Sequence, residues 1–172
     1  MLKLVKLQRE HMPLLIDMMD EWTSSGESIT PWAISHGGRL DYHDYDYYVS
    51  SIEVHDTSSG LVPDDTYFAL DEERNMLIGA VNIRHDLNER LLLCGGHIGD
   101  GVRPSERRKG YGTRMVALAL EKCRELGIMR VLMVCDQNNI ASARTIIKNG
   151  GVLENEVVVD GDIEQRYWID LT

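Results

Sequence analysis

The sequence predicts an α/β (α+β) fold, a single domain in which helices flank a mixed sheet. Apolar segments of strand length alternate with segments whose apolar residues recur at helical spacing. Two pairs of strand-like segments are joined by short polar turns, which is typical of antiparallel hairpins. The chain has 172 residues, of which 43% are apolar and 27% charged. This length and composition suit one globular domain spanning residues 1–172.

The first third of the chain predicts one strand and two helices around a long irregular segment. Residues 1–7 alternate between apolar and polar, as in a half-buried strand, and residues 11–19 have helical spacing with Pro13 in the first turn. Glycines and a proline interrupt residues 23–43, and a further helix is predicted over residues 45–54. Irregular segments of this length inside a compact domain are commonly functional.

The middle of the chain predicts a hairpin, a third strand and the strongest helix. Two strands, over residues 66–70 and 76–84, flank a polar turn, and a third strand follows at residues 96–102. The helix predicted over residues 110–126 carries its apolar residues on one face. Gly127 stands where a C-terminal cap belongs.

The last third of the chain predicts a strand, a helix and a closing hairpin. Residues 128–135 are almost continuously apolar, as expected for a strand covered on both faces. A helix is predicted over residues 139–149. The strands 152–159 and 163–171 then form a hairpin, because the Asp-Gly pair between them supplies the positive φ that a tight turn requires.

The charge and the cysteines exclude several classes of protein. A net charge of −10 argues against general nucleic-acid binding, which needs a basic surface. No apolar run approaches the roughly 20 residues of a membrane span, and the N-terminus lacks the apolar core of a signal peptide. We therefore expect a cytoplasmic protein that contacts no membrane. Cys94, Cys123 and Cys135 lie far apart and form no CxxC pair, so neither a disulfide framework nor a metal site is predicted.

The most informative stretch covers residues 102–113 and joins an apolar strand to an amphipathic helix through a cationic loop with two glycines. A helix N-terminus offers unpaired N–H groups and the positive end of the macrodipole, and glycines let the backbone approach an anion closely. Only one acid, Glu106, accompanies the five cations in and just beyond the loop. These cations are Arg103, Arg107, Arg108, Lys109 and Arg114. The sequence therefore predicts a phosphate site at this junction.

Two nucleotide-binding patterns compete for this loop. The nucleotide P-loop requires a Gly-Lys-Ser/Thr sequence that the chain lacks. The dinucleotide fingerprint GxGxxG finds Gly110 and Gly112, but Met115 stands in its third place, and seven residues separate the strand from the first glycine. Asp136 would then be the acid that binds the ribose. An NAD-dependent oxidoreductase thus stays open as an alternative.

The segment from Val102 to Thr113 resembles the R/Q-x-x-G-x-G/A signature of the GNAT family of N-acetyltransferases, here Arg107-x-x-Gly110-x-Gly112. Downstream, Asn139-x-x-Ser142 and Gly150 are similar to the family's second motif. The resemblance covers residues 66–171. It implies a GNAT-like mixed, mostly antiparallel central sheet flanked by helices, with acetyl-coenzyme A as co-substrate and no metal.

The resemblance also implies a set of cofactor-binding residues. Backbone N–H groups of the signature loop would hold the pyrophosphate of coenzyme A, assisted by its cationic side chains. Val102 would pair through its backbone with the pantetheine arm, which Asn139 and Ser142 would flank. The residues expected to bind the cofactor are Val102, Arg107, Arg108, Lys109, Gly110, Tyr111, Gly112, Thr113, Asn139 and Ser142.

The reaction that the resemblance implies needs a base close to the cofactor strand, because a neutral amine must attack the thioester. His97 and Asp100 are the nearest titratable candidates, and strand alternation puts them on opposite faces. Asp100 is two residues from Val102, so both side chains should lie on the same face of the strand. His97 has an ordinary pKa closer to neutral pH, which suits a general base better. Glu27 is a third candidate if its loop caps the site. Ile146 stands where the family often has a tyrosine as general acid, so the proton donor to sulfur is left open.

The resemblance implies an N-acetyltransferase that acts on a primary amine of a small molecule or peptide. Residues 41–48 gather four tyrosines and three acids, which would suit a cationic amine or would simply be a packed amphipathic helix. The alternatives are a non-catalytic acyl-coenzyme A binding or sensing module and the NAD-dependent oxidoreductase. The sequence leaves the oligomeric state open, a homodimer included.

Overall fold

The computed structural model describes all 172 residues and contains two antiparallel sheets. The first sheet has the order β1-β2-β3-β4, and the second has the order β5-β7-β6. The strands are β1 (Leu2–Val5), β2 (Asp64–Asp71), β3 (Met76–Arg84), β4 (Ile98–Val102), β5 (Arg130–Asp136), β6 (Val152–Val159) and β7 (Asp162–Asp170).

Four α-helices cover the sheets, and none of them is long and apolar enough to cross a membrane. They are α1 (Met12–Ser24), α2 (Tyr45–Ser51), α3 (Tyr111–Glu125) and α4 (Ile140–Lys148). Short helical turns add to these at residues 9–11, 32–34, 91–95 and 104–106. The predicted class, a mixed α/β domain with mostly antiparallel strands flanked by helices, is confirmed.

The core lies on both faces of the four-stranded sheet. A bulge at Ile78 interrupts the alternation of side chains along β3, so that Leu77 and Ala80 join one cluster while Ile78 and Val81 join the other. The face under α3 holds an 18-residue cluster, and the face under α1 and α2 holds a 13-residue cluster. Trp22 of α1 is fully buried in the smaller cluster. This packing fixes α1 and α3 on opposite sides of the same strands.

The two sheets touch at one end of β4 and separate from there. The His97 N–H donates to the carbonyl oxygen of Leu132 in β5 at 2.8 Å, and the Leu132 N–H donates to His97 Nδ1 at 2.9 Å. Gly96 has φ 69°, and a Cβ there would lie 2.6 Å from the Leu132 carbonyl oxygen, so only glycine allows this approach. Beyond His97 no ladder joins β4 to β5, and the edge of β4 that faces β5 is unpaired.

Several element boundaries differ from the prediction. The first helix continues beyond residue 19 to Ser24, and the helix predicted over 45–54 ends at Ser51. The third strand begins at Ile98 rather than Gly96, because Gly96 and His97 form the junction with β5. The irregular character predicted for residues 23–43 is confirmed for residues 25–43 apart from the short turn at 32–34, whereas residues 23 and 24 belong to α1.

Candidate functional site

A cavity of about 720 Å³ opens beside the unpaired edge of β4 and is bounded by the N-terminal ends of α3 and α4. Its lining combines the end of β4, the signature loop and one face of α4. Nine of the ten residues predicted to bind the cofactor line it. These are Val102, Arg107, Arg108, Gly110, Tyr111, Gly112, Thr113, Asn139 and Ser142. Lys109 is the exception, since its ammonium bonds Glu106 at 3.2 Å.

The N-terminus of α3 forms the polar end of the cavity. Gly110 adopts φ 82° as the N-cap, and the N–H groups of Tyr111, Gly112 and Thr113 precede the first bond of the helix, from Arg114 N to Gly110 O at 3.3 Å. A Cβ on Gly112 would lie 3.6 Å from Thr145 Oγ1 and 3.9 Å from the Val102 side chain. A larger side chain at this position would therefore project between α4 and β4, into the cavity.

The cations of the loop have different partners. Arg103 is buried and binds the carboxylates of Asp17 and Glu21, so it anchors α1 instead of facing the cavity. Arg107 donates from Nε to the Val102 carbonyl oxygen at 3.1 Å and forms an ion pair with Glu27 at 2.5 Å. Arg108 has an exposed guanidinium that lines the cavity.

Glu106, the one acid of the loop, is neutralised by its neighbours. Its carboxylate is buried and accepts two bonds from Arg74, at 2.7 and 2.8 Å, and one from Lys109. The bonds from Arg74 and Lys109 outweigh the cost of burial and lower the pKa of Glu106 to about 2. The buried acid thus holds the loop in shape without presenting a free negative charge to an anion in the cavity.

The N-terminus of α4 forms the opposite wall. Asn139 is its N-cap, and Asn139 Oδ1 accepts from the Ser142 N–H at 3.1 Å. Seven lining residues were not predicted as site residues, namely Thr30, Gly101, Glu106, Ala141, Arg144, Thr145 and Lys148. The i, i+4 spacing of Arg144 and Lys148 could have indicated a second cationic wall. Thr30 lies in the irregular segment, where no periodicity identifies it.

Asp100 is the acid of β4 that the cavity reaches. Its side chain lies on the same face of the strand as that of Val102, as predicted from the alternation of side chains along a strand. No protein group donates a hydrogen bond to its carboxylate. Burial raises the pKa of Asp100 to about 6. A carboxylate with this pKa accepts a proton from an ammonium more readily than an ordinary aspartate does.

His97 does not line the cavity, in contrast to Asp100. Its side chain is buried at the junction of the sheets, where Nδ1 accepts the Leu132 N–H. Burial and the nearby Arg84 guanidinium lower the pKa of His97 to about 4, so the imidazole is neutral at physiological pH. This arrangement indicates a structural role for His97 at the junction of the sheets. It disfavours His97 as the general base, because its imidazole does not reach the cavity.

A second cavity, of about 510 Å³, lies between the C-terminal end of α1 and the irregular segment that follows it. Thr30 belongs to the lining of both cavities. Glu27, the third candidate base, lines the second cavity and not the first. Of the four tyrosines in residues 41–48, Tyr42 lines it, whereas Tyr48 is buried in the core below α2.

No group of three or more His, Cys, Asp or Glu side chains is placed to hold a metal ion. Burial raises the pKa of the Cys123 thiol to about 12, and burial also raises that of Cys135. Both cysteines belong to the core cluster under α3, which agrees with their interpretation as small core residues. The site therefore consists of carboxylate, guanidinium, ammonium, carboxamide, hydroxyl and backbone groups.

A family model described as an acetyltransferase (GNAT) domain matches residues 2–152. No curated protein sequence matches the chain significantly. Among solved structures, RimL, a ribosomal L7/L12 alpha-N-protein acetyltransferase in complex with coenzyme A, is similar with a TM-score of 0.67 and 16% identity, covering 99% of this chain and 96% of that chain.

Two further solved structures have comparable similarity. A chimera of the spermidine N-acetyltransferase SpeG from Vibrio cholerae has a TM-score of 0.62 and 16% identity, covering 99% of this chain and 95% of that one. An acetyltransferase of the GNAT family from Streptococcus pneumoniae has a TM-score of 0.62 and 17% identity, covering 98% of each chain. At these identities the structures establish a shared fold.

Proposed function

Because the chain belongs to the GNAT family of acetyltransferases, we propose that it moves an acetyl group from acetyl-coenzyme A to a primary amine of a small molecule or peptide by direct attack. The family is that of acetyl-coenzyme A-dependent N-acetyltransferases, so the reaction class and the co-substrate follow from membership. The observation that carries the residue assignment is the 720 Å³ cavity, in which the N-terminus of α3 and the Asp100 carboxylate face one space.

The cofactor is proposed to lie along the unpaired edge of β4. The pyrophosphate would bind the free N–H groups at the start of α3, with the guanidinium of Arg108 beside it. The amides of the pantetheine arm would pair with the backbone of β4 near Val102, as an added strand pairs with a free sheet edge. Asn139 and Ser142 would flank the arm from α4.

Asp100 is proposed as the general base. Its raised pKa keeps it ionised above about pH 6, where it can accept the proton of the attacking ammonium directly or through one water. The neutral amine then attacks the thioester carbon and the thiolate leaves. Ile146 has only a hydrocarbon side chain, so no side chain at that position protonates the sulfur. Ser142 or water would supply the proton, because a thiol of pKa roughly 8.5 leaves without strong acid help.

The alternatives have weaker support. The oxidoreductase interpretation needs a glycine at residue 115, but Met115 is fully buried in the core cluster under α3. A helical turn at Pro104–Glu106 also separates β4 from Gly110. A non-catalytic binding module would keep the cavity, and the presence of Asp100 in that cavity favours an enzyme.

Thermal unfolding with acetyl-coenzyme A, and separately with NAD, tests the cofactor assignment. A ligand at roughly 100 times its dissociation constant stabilises the folded state by about 2.7 kcal/mol, which raises the melting temperature measurably. We expect a shift with acetyl-coenzyme A alone, and its loss in Gly112→Glu, which places a carboxylate in the cavity. Ala117→Glu adds the same charge to an exposed position of α3 and should keep the shift. A shift with NAD instead would contradict the proposal.

The homodimer considered from the sequence stays a prediction. Two apolar side chains of α4 support it, because Ile140 and Ile147 are 57% and 55% exposed and offer an apolar surface to a second copy. Light scattering coupled to size-exclusion chromatography gives the mass directly. A mass near 19.5 kDa at micromolar concentration would exclude the dimer.

A further inference from the structure

The second cavity and the proposed cofactor site share one lining residue, Thr30. The Thr30 carbonyl packs against β4 so closely that a Cβ on Gly101 would lie 2.1 Å from its oxygen. The Gly101 position faces Thr30, so the Asp100 side chain points to the other face of β4. Thr30 and Asp100 nevertheless both line the first cavity, so the second cavity ends at the wall of the space that holds the proposed base. A molecule bound in the second cavity would thus have one end at the reacting groups.

Apolar and aromatic side chains form part of the walls of the second cavity, and glycines and hydroxyl side chains form most of the rest. Met19 and Leu40 are buried and form an apolar wall of the cavity. Tyr42 also lines the cavity and is partly exposed. Trp32 is 59% exposed, yet its ring stacks on His36 at 4.4 Å with an interplanar angle of 10°, which holds the indole in place. These surfaces favour a flat apolar group of modest size.

Glu27 is the one charged residue in the lining of this cavity. Its carboxylate is 51% exposed and forms an ion pair with Arg107. Arg107 also covers the Val102 carbonyl, to which the pantetheine arm would pair. A cofactor that takes this carbonyl and attracts Arg107 to its phosphates would release Glu27, whose carboxylate could then bind an ammonium.

The charges around the cavity disfavour a second ammonium on the acceptor. A Cβ on Gly37 would lie 3.9 Å from Arg39 Cζ, so that end of the lining adjoins a guanidinium. Burial and Arg39 lower the pKa of His36, which is therefore neutral at physiological pH. Asp20 is outside the lining and accepts the Tyr42 hydroxyl at 2.6 Å.

Resting on the proposed function, we infer that the second cavity takes the acceptor as an arylalkylamine, a primary amine with one positive charge on a flat apolar body. Glu27 binds its ammonium, and the aromatic body lies among Met19, Trp32, Leu40 and Tyr42. A polyamine is a poor acceptor here because its second ammonium would face apolar walls and Arg39. Glu27 is accordingly a residue that determines acceptor specificity, while Asp100 removes the proton.

Initial rates of thiol release at saturating acetyl-coenzyme A, with phenethylamine and with spermidine, test this inference. We expect kcat/KM to be at least about tenfold higher for phenethylamine, the size of effect expected for one unpaired charge against an apolar wall. Glu27→Gln should raise the KM for phenethylamine about tenfold with little change in kcat, and Trp32→Ala should raise it as well. The KM for acetyl-coenzyme A should not rise in Glu27→Gln, because the change frees Arg107.

Glu89→Gln is the matched control, since Glu89 is exposed and makes no ion pair. It should leave both KM values unchanged. Preference for spermidine, or an unchanged phenethylamine KM in Glu27→Gln, would overturn the inference while acetyl transfer itself stands. If acetyl-coenzyme A neither shifts the melting temperature nor yields thiol with either amine, the proposed function fails and the inference fails with it.

Discussion

Asp100 and His97 lie three residues apart, but their side chains have opposite environments. The Asp100 carboxylate faces the cavity without a hydrogen-bond donor, and burial raises its pKa to about 6. The His97 imidazole accepts a backbone N–H inside the junction of the sheets, and burial lowers its pKa to about 4. Each shift disfavours the charged form, but only Asp100 can contact a substrate in the cavity. These two residues are separable by experiment.

Replacing Asp100 by Asn should lower kcat about 100-fold, the usual contribution of a general base. In the unmodified protein the rate should rise with pH through about 6, because the base acts only when ionised. The rise of the rate with pH should be absent in Asp100→Asn. The increase in melting temperature on adding acetyl-coenzyme A should be kept in this variant. A variant with full activity and an unchanged pH profile would remove Asp100 from the mechanism.

Replacing His97 by Ala should affect stability more than turnover. The buried Leu132 N–H loses its acceptor, which costs about 1–3 kcal/mol of the free energy of unfolding. Urea unfolding measures this loss, and kcat should stay within a few-fold of the original at a temperature where the variant is folded. A folded His97→Ala protein with about 100-fold lower kcat would instead return His97 to the list of bases.

The sequence predicted which face of β4 carries the Asp100 side chain, but it did not predict the environment of His97. Side chains two residues apart in a strand lie on the same face, which predicts that Asp100 and Val102 share a face of β4. The register of β4 confirms this prediction. The role of His97 depends on Leu132, which is 35 residues away along the chain, so no local pattern contains it. The same holds for Glu27, whose contact with Arg107 spans 80 residues.

Among the elements, α1 and the turn after β4 are held together by one buried guanidinium. Arg103 donates to Asp17 and Glu21 of α1 and to the Leu77 carbonyl oxygen of β3. Glu21 in turn accepts the Ser105 N–H at 2.8 Å, so the first turn of the signature loop is tied to α1. Burial alone would raise the pKa of Glu21, but the bonds from Arg103 and Ser105 outweigh it and lower that pKa.

Glu21→Gln should therefore destabilise the protein in a pH-dependent way. A lowered pKa in the folded state contributes stability above the ordinary value of 4.5, and this contribution is lost as the pH falls through the folded value. We expect a loss of about 1 kcal/mol at neutral pH and a smaller loss at the lowest pH at which the protein is still folded. Glu121→Gln, which breaks only the exposed pair with Arg124, is the control and should cost less. Equal losses at both pH values would contradict this account.

Element types were largely predictable, and element ends were not. The hairpin between β6 and β7 is confirmed, with Asp160 and Gly161 at φ 50° and 87°, because a tight turn is a local feature of two residues. By contrast, α1 continues to Ser24 because Met18, Met19 and Trp22 pack into the core below it, which is a tertiary contact. The turn at Leu91–Gly95 had no predicted counterpart.

At the scale of the whole molecule, the negative net charge and the cationic lining of the proposed cofactor cavity both affect where an anionic ligand binds. The chain carries −10 overall, yet the proposed cofactor cavity is lined by Arg107, Arg108, Arg144 and Lys148. A polyanionic cofactor is repelled by most of the surface and attracted at one site. The predicted fold and family are confirmed, since both depend on patterns spread over the chain, whereas the second cavity arises from an irregular segment that sequence periodicity does not describe.

Salt should weaken cofactor binding through this local field. Raising ionic strength from about 0.05 to about 0.5 M shortens the screening length to roughly a third. We expect the KM for acetyl-coenzyme A to rise several-fold with kcat almost unchanged, and the rise to be smaller in Arg108→Ala. Arg124→Ala, at an exposed site remote from the cavity on the same helix, should respond to salt like the original protein. A KM that does not depend on salt would contradict the electrostatic role of the loop.

The unpaired edge of β4 has a consequence for handling the protein. Free strand edges invite pairing with other chains, and β6, the outer edge of the second sheet, discourages it with Glu154, Glu156 and a bulge. On the β4 edge Arg107 covers the Val102 carbonyl, but no strand pairs with this edge, and under the proposed function it stays open for a ligand that completes it. Acetyl-coenzyme A would thus act as a missing strand, and the ligand-free protein should be the form that aggregates on storage.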